Sequence, residues 1–246
     1  MNLVICENYD DMSEAACGII IDTLHNNPNA LISFPGGDTP RGMFEAFVDA
    51  VYEGEVNISN ASYVSLDEWV GLSATDEGSC GHFNMVNLID PLGEFLRKTF
   101  ANLFIINGAA ENIEEEKNKL DEFIHTYGPL DVSVLGIGLN GHLGFNEEGT
   151  SVISNAHIIP LSDTTKKVMT KYFGEKFKPE YGITQGLGQI MVAKTVILLA
   201  SGEHKADILK KALEGPVTES LPASILQNHP NVYIVADLAA ASKLNS

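Results

Sequence analysis

Positive charge is scarce in this chain. Fifteen lysines and arginines stand against 33 aspartates and glutamates over 246 residues, a formal net charge of −18. Nucleic acid and anionic membrane surfaces are bound through basic patches, so neither is an expected partner. Cysteine is equally thin: Cys6, Cys17 and Cys80 show no C-x-x-C spacing and leave an odd thiol. That points to neither a disulfide framework nor a zinc site, and it fits a reducing cytoplasm. The N-terminal stretch has no basic segment leading into a cleavable apolar one, and nowhere do about 18 apolar residues run together, so no export signal and no membrane span are expected. No Gly-Lys-Ser/Thr completes a P-loop, no dinucleotide fingerprint is found, and no metal-ligand spacing is seen, so neither a cofactor nor a metal is called for. A proline-, serine- or charge-rich linker is also missing, and there is no internal repeat. Residues 1–246 therefore read as a single domain.

What is present is an ordinary globular composition, 44% hydrophobic and 20% charged, with apolar runs that alternate with amphipathic stretches. Strands are expected over 3–6, 30–34, 62–66, 102–106, 132–135, 195–200 and 232–235, with an edge strand over 156–160. Between them, helical spacing predicts a helix to about residue 25 capped by Asp10 or Asp11, a helix carrying Met43, Phe44, Phe47 and Val51, and others over 79–88, 111–127 and 164–173. A further helix opens near Lys205, a short one spans 222–227, and a terminal one spans 237–244. The acidic run Glu114-Glu115-Glu116 followed by Lys117 reads as a solvated face, and His82 as a surface or packing residue. The glycine-rich stretch 182–188 carries no motif. Alternating strands and helices of this kind give an α/β fold with a mainly parallel sheet flanked by helices.

Four strand ends break into turns that carry chemistry. The first, Gly36-Gly37-Asp38-Thr39, precedes a helix, and exposed amides at a helix start make an anion site. The second, Asp67-Glu68 beside Trp69, reads alone as a helix cap or a solvated pair, and in company with the other turns offers a general base in a partly dehydrated place. The third follows the run 132–135: Gly136 and Gly138 break the strand, and Asn140, Gly141, His142, Asn146, Glu147 and Glu148 come within eleven residues. The fourth puts Lys205 in the first turn after a strand, a usual point-charge partner for phosphate. If their strands are neighbours, these turns meet in one crevice suited to proton transfer on a phosphorylated small molecule.

The segments FPGGDTPRGMFEAF, SLDEWVGL, LGIGLNGHLGFNEEGTS and SGEHKADILKKALEGP, in this order, resemble the glucosamine-6-phosphate deaminase/isomerase family, with its galactosamine-6-phosphate relatives. The resemblance implies a Rossmann-like sugar-phosphate isomerase fold. It also implies isomerising deamination of a 2-amino-2-deoxyhexose 6-phosphate to a ketohexose 6-phosphate and ammonia, in amino-sugar catabolism. By position, Asp67 would move the proton between C2 and C1, and His142 would assist ring opening, with Glu147 and Asn140 supporting it. Gly36, Gly37, Asp38, Thr39, Glu68, Gly141, Lys171 and Lys205 would bind substrate. Three departures from the family pattern stand out: Asn140 where many relatives have aspartate, Asp38 in the phosphate turn, and Lys171 where a family arginine falls. The SLDEW form, the Cys80 segment and N-G-H-L-G look closer to the galactosamine branch. The competing expectations are a 6-phosphogluconolactonase-like hydrolase and a non-catalytic sugar-phosphate-sensing domain, and a homo-oligomer is left open.

Overall fold

The apolar runs assemble around one parallel sheet. The computed structural model describes residues 1–95, 99–173 and 177–245, and the side chains of residues 94, 95 and 169–173 fall outside that description. In chain order the elements begin with β1 (Asn2–Cys6), α1 (Tyr9–Asn26), β2 (Leu31–Phe34), α2 (Arg41–Tyr52), β3 (Ser62–Ser65) and β4 (Asp67–Trp69). There follow α3 (Cys80–Asn84), a π-helical turn (Met85–Ile89), α4 (Asp90–Phe95), β5 (Asn102–Phe104), α5 (Ile113–Tyr127), β6 (Val132–Gly136), β7 (His157–Pro160) and α6 (Asp163–Phe173). The chain continues with β8 (Tyr181–Thr184), α7 (Leu187–Met191), β9 (Thr195–Ala200), a 3-10 turn (Glu203–Lys205), α8 (Ala206–Glu214), a 3-10 segment (Pro222–Asn228), β10 (Val232–Asp237) and α9 (Leu238–Ala241).

Seven strands pair in the order β1-β10-β9-β6-β2-β3-β5, all parallel. The order reverses between β2 and β6. From β2 the chain works outward through β3 to β5, then returns to the opposite side of β2 as β6 and works outward through β9 to β10. Ligand crevices of open parallel sheets lie beyond the carboxyl ends at such a reversal. The turns after β2 and β6 are those that carry Gly36 and Gly138.

Both faces of the sheet are covered, which is why the central strands read as unbroken apolar runs. Side chains alternate between two cores. Ile32, Phe34, Val132, Val134, Ile197 and Leu199 pack with α1 and α2 on one face, while Leu31, Leu135, Val196 and Leu198 pack with α5 and α8 on the other. The helices owe their burial to matching stripes, Met12, Ala16, Ile20 and Leu24 in α1, and Met43, Phe44, Phe47 and Val51 in α2.

Several elements differ from the sequence expectation. Asn8, not Asp10 or Asp11, caps α1, its side chain accepting from the Asp11 amide at 2.9 Å; the two aspartates sit in the first turn, where the helix dipole favours them. The helix expected over 79–88 runs on through the π turn to Phe95. Asp237 ends β10 and caps α9 through the Ala240 amide, and the helix expected over 237–244 ends at Ala241. Glu116 is buried rather than solvated, because its Oε1 accepts from the Asn107 amide at 2.9 Å. Finally, β4, β8 and β7 form a second, antiparallel sheet, of which only the 156–160 edge was legible. It pairs Asp67 with Thr184 and Glu68 with Ile183.

Candidate active site

A cavity of about 1050 Å³ opens at the reversal point of the sheet, and Gly36, Gly37, Asp38, Thr39, Asp67, His142 and Lys205 all line it. The strand order brings them together from four separate turns. Asn140, Gly141, Glu147 and Glu68 lie behind the lining, and Lys171 falls outside the described side chains.

At one end stands the β2–α2 turn. Gly36 has no room for a side chain, since a Cβ there would lie 2.8 Å from the Cys80 Cα. Asp38, the departure from the family's phosphate turn, pairs with Arg41 at 3.6 Å and is half exposed; α2 has Pro40 at its cap position and no side-chain cap bond. The turn is braced by Tyr9, whose hydroxyl lies 3.1 Å from both the Asp38 and Thr39 carbonyls and accepts from the Gly42 amide at 2.8 Å. Lys205 reaches the same cavity from the turn after β9, and its Nζ donates to the Ile137 carbonyl at 2.6 Å, which ties the ammonium to the loop after β6. Neither Tyr9 nor Arg41 was picked out from the sequence. Arg41 lines the cavity at the start of α2, stacks 4.8 Å from the Phe83 ring and donates to Asn87 at 2.7 Å. His82 also lines the cavity, where a surface or packing role was expected.

Asp67 occupies the step from β3 into β4 and is 7% exposed. Burial pushes its carboxyl up to about 6, against the opposing pull of His142 and of a hydrogen bond from the Cys80 thiol. A carboxyl so placed changes protonation state near neutrality, as a general base that must also return its proton requires. The same surroundings push the Cys80 thiol well above its ordinary range, burial first and then the two neighbouring carboxylates. Glu68, one residue on, points the other way, as alternation along a strand dictates. Its carboxylate accepts from the amides of Trp69 at 2.7 Å, Cys80 at 3.1 Å and Gly81 at 2.7 Å. The side chain expected to bind substrate thus fastens the start of α3 beside Asp67.

Across the cavity, His142 projects from the loop after β6. Gly138 makes its place, because a Cβ there would meet the imidazole at 2.3 Å. The Nδ1 edge faces Thr165 Oγ1 at 3.1 Å and Glu147 Oε2 at 3.5 Å. Glu147 is held from three sides: Thr165 Oγ1 donates to Oε1 at 2.5 Å, the Ser162 amide to Oε1 at 3.2 Å, and Asn140 Nδ2 to Oε2 at 2.8 Å. Burial raises its carboxyl, but the hydrogen bond and charge of His142, with Thr165 and Asn140 behind them, outweigh that and hold it down at about 2. The relay therefore runs from Asn140 to Glu147 to the imidazole. An amide at position 140 suits it, since a carboxylate there would face another carboxylate. Thr165 and Ser162 were not picked out as site residues. Ser162 accepts from the Thr165 amide at 3.2 Å, and that spacing announces a helix start, not a histidine partner.

A family model described as glucosamine-6-phosphate isomerases/6-phosphogluconolactonase matches residues 7–234. A protein of Thermoanaerobacter pseudethanolicus named glucosamine-6-phosphate deaminase is 37% identical over 243 residues, covering 98% of this chain and 94% of its own. A protein of the same name from Clostridium perfringens is 36% identical, with 99% and 100% covered. Among solved structures, a monomeric glucosamine-6-phosphate deaminase superposes with a TM-score of 0.91 at 32% identity, over 99% of this chain and 100% of that one. The 6-phosphogluconolactonase of Trypanosoma brucei gives 0.73 at 18% identity over 99% and 98%, a likeness of fold alone. The chain belongs to the glucosamine-6-phosphate isomerase/6-phosphogluconolactonase family, on its glucosamine-6-phosphate deaminase side.

Proposed function

We propose that the protein catalyses the isomerising deamination of a 2-amino-2-deoxyhexose 6-phosphate, glucosamine 6-phosphate first, in amino-sugar breakdown in the cytoplasm. The observation that carries the reading is the pairing, across one cavity, of a buried carboxyl raised to about 6 with an imidazole backed by a carboxylate held at about 2. The phosphate would sit between the turn at residues 36–39 and Lys205, which aligns the sugar carbons over the base. His142 would move a proton between the ring oxygen and the anomeric hydroxyl, opening the ring. Imidazole suits this because its unperturbed pKa is near 6.5. Asp67 would then take the C2 proton while O1 gains a proton and the ammonium gives one up, leaving an enolamine, and Asp67 would return its proton to C1. The resulting C2 iminium adds water, the C–N bond breaks, and ammonia leaves with a ketone at C2.

Lactone hydrolysis needs no base over a carbon acid, the task that isomerisation would give Asp67. The galactosamine reading rests on the Cys80 segment and the SLDEW form, whereas the relatives' names carry glucosamine. Ammonia release from the two hexosamine 6-phosphates at equal concentration tests both points, and the ratio of kcat/KM values settles the C4 preference. No ammonia from either, with hydrolysis of 6-phosphogluconolactone, overturns the deaminase reading.

A further inference from the structure

We infer that Gln185 is a positioning residue that sets the His142 loop against the strand ends bearing Asp67 and the phosphate turn. It lies directly after β8, fully buried, and it is not among the residues that line the cavity. One residue reaches three segments. Its side-chain Nε2 donates to Ser33 Oγ in β2 at 2.8 Å and to the Ser65 carbonyl in β3 at 2.9 Å. Its backbone amide donates to the Leu66 carbonyl at 2.9 Å, next to Asp67. Its own carbonyl accepts from Asn146 Nδ2 at 2.8 Å, and the same Asn146 nitrogen donates to the Leu143 carbonyl at 2.8 Å. Leu143 and Asn146 are the two ends of the segment between His142 and Glu147.

The side chain and the backbone amide therefore grip β2, β3 and Leu66 while the carbonyl grips the catalytic loop. β2 and β3 are already held in register with each other, Phe34 opposite Ser65. What the Gln185 side chain adds is the seating of the loop on that pair. The Nε2 donor satisfies two acceptors in the interior, so the bonds that place the loop also stabilise the fold. An apolar side chain of similar volume would leave the Ser33 hydroxyl and the Ser65 carbonyl without that donor.

The inference rests on the deaminase reading, and Gln185→Met separates the two. The phosphate turn and Lys205 are untouched, so KM should stay within about twofold, while kcat falls about tenfold or more, as misplacement of reacting groups does. The melting temperature should fall, because two buried acceptors lose their donor, and the kinetics are therefore read well below it. A kcat within about twofold of wild type, or a KM that rises in step with the fall in kcat, overturns the inference. If Gln185→Met does not fold, Ser33→Ala removes one acceptor and keeps the Ser65 bond; a several-fold lower kcat at unchanged KM is expected, and an unchanged kcat overturns the inference. If wild type releases no ammonia, the deaminase reading has failed. Placement is then read by amide hydrogen exchange over residues 143–147, which should quicken in the folded variant and which, if unchanged, refutes the role.

Discussion

Asp67→Asn should stabilise the protein while abolishing its chemistry. The ordinary carboxyl releases its proton near 3.8, and the buried one near 6. The folded state thus holds that proton more tightly than the unfolded chain between those values. Wild-type stability falls as pH rises through that window, and above about 6 the full cost of an ionised, dehydrated carboxylate is present, at most about 3 kcal/mol. Asparagine keeps the shape and carries no charge, but its amide must also be satisfied, so a gain of about 1–3 kcal/mol is expected. For a chain of this size that is a rise in melting temperature of about 2–10 °C. Melting curves of both proteins at pH 8 and at pH 4 read it: the difference should be present at the higher pH and vanish at the lower. Exchange of the C2 proton with solvent should be lost in the same variant, and the wild-type kcat/KM should drop below pH about 6 as the base becomes protonated. An equal melting difference at both pH values would refute the account of Asp67 as a carboxylate held against burial, and retained C2 exchange would remove it from the base role.

Thr165→Val keeps the volume but removes the hydroxyl between His142 and Glu147; kcat should fall about 10–100-fold with KM little changed, and an unchanged kcat would show that the imidazole needs only Glu147. Lys205→Met loses both the cation and its bond to the Ile137 carbonyl. A charged hydrogen bond is worth about 1.5–3 kcal/mol, so KM should rise about 10–100-fold, and inhibition by inorganic phosphate should weaken in parallel; phosphate inhibition of undiminished strength would place the anion elsewhere.

The legible parts of the molecule were those in which a local pattern and its cause coincide. β2, β6 and β9 are covered on both faces, so they read as apolar runs. Their ends carry the glycines and the polar side chains because the ligand crevice lies there. Asp67, His142, Thr39 and Lys205 could therefore be placed in one crevice before any coordinates. Glu68 could not be assigned from its neighbour: two adjacent carboxylates look alike in sequence, and the strand's alternation sends one toward the cavity and the other into the amides at the start of α3. Thr165 reaches His142 from 23 residues away, across a connection for which no spacing rule exists.

The deepest miss concerns how the base is held. Asp67-Glu68-Trp69 is too short and too polar to announce a strand, and its partner begins with Tyr181, beside a glycine-rich stretch that carries no motif. Gly182 is not there to turn the chain. A Cβ at Gly182 would lie 2.5 Å from the Phe145 ring, which packs 4.5 Å from Trp69, the residue Gly182 faces in the ladder. The glycine admits an aromatic side chain from the catalytic loop, and Phe145 in turn packs over the strand that begins with Asp67. A glycine that makes room and a glycine that turns the chain are the same letter, and only the partner strand distinguishes them. The placement of Asp67 opposite Thr184, with Gln185 next in line to the catalytic loop, is consequently a property of pairing across more than a hundred residues. That is why the chemistry of the site could be read from its turns while the device that aligns it could not.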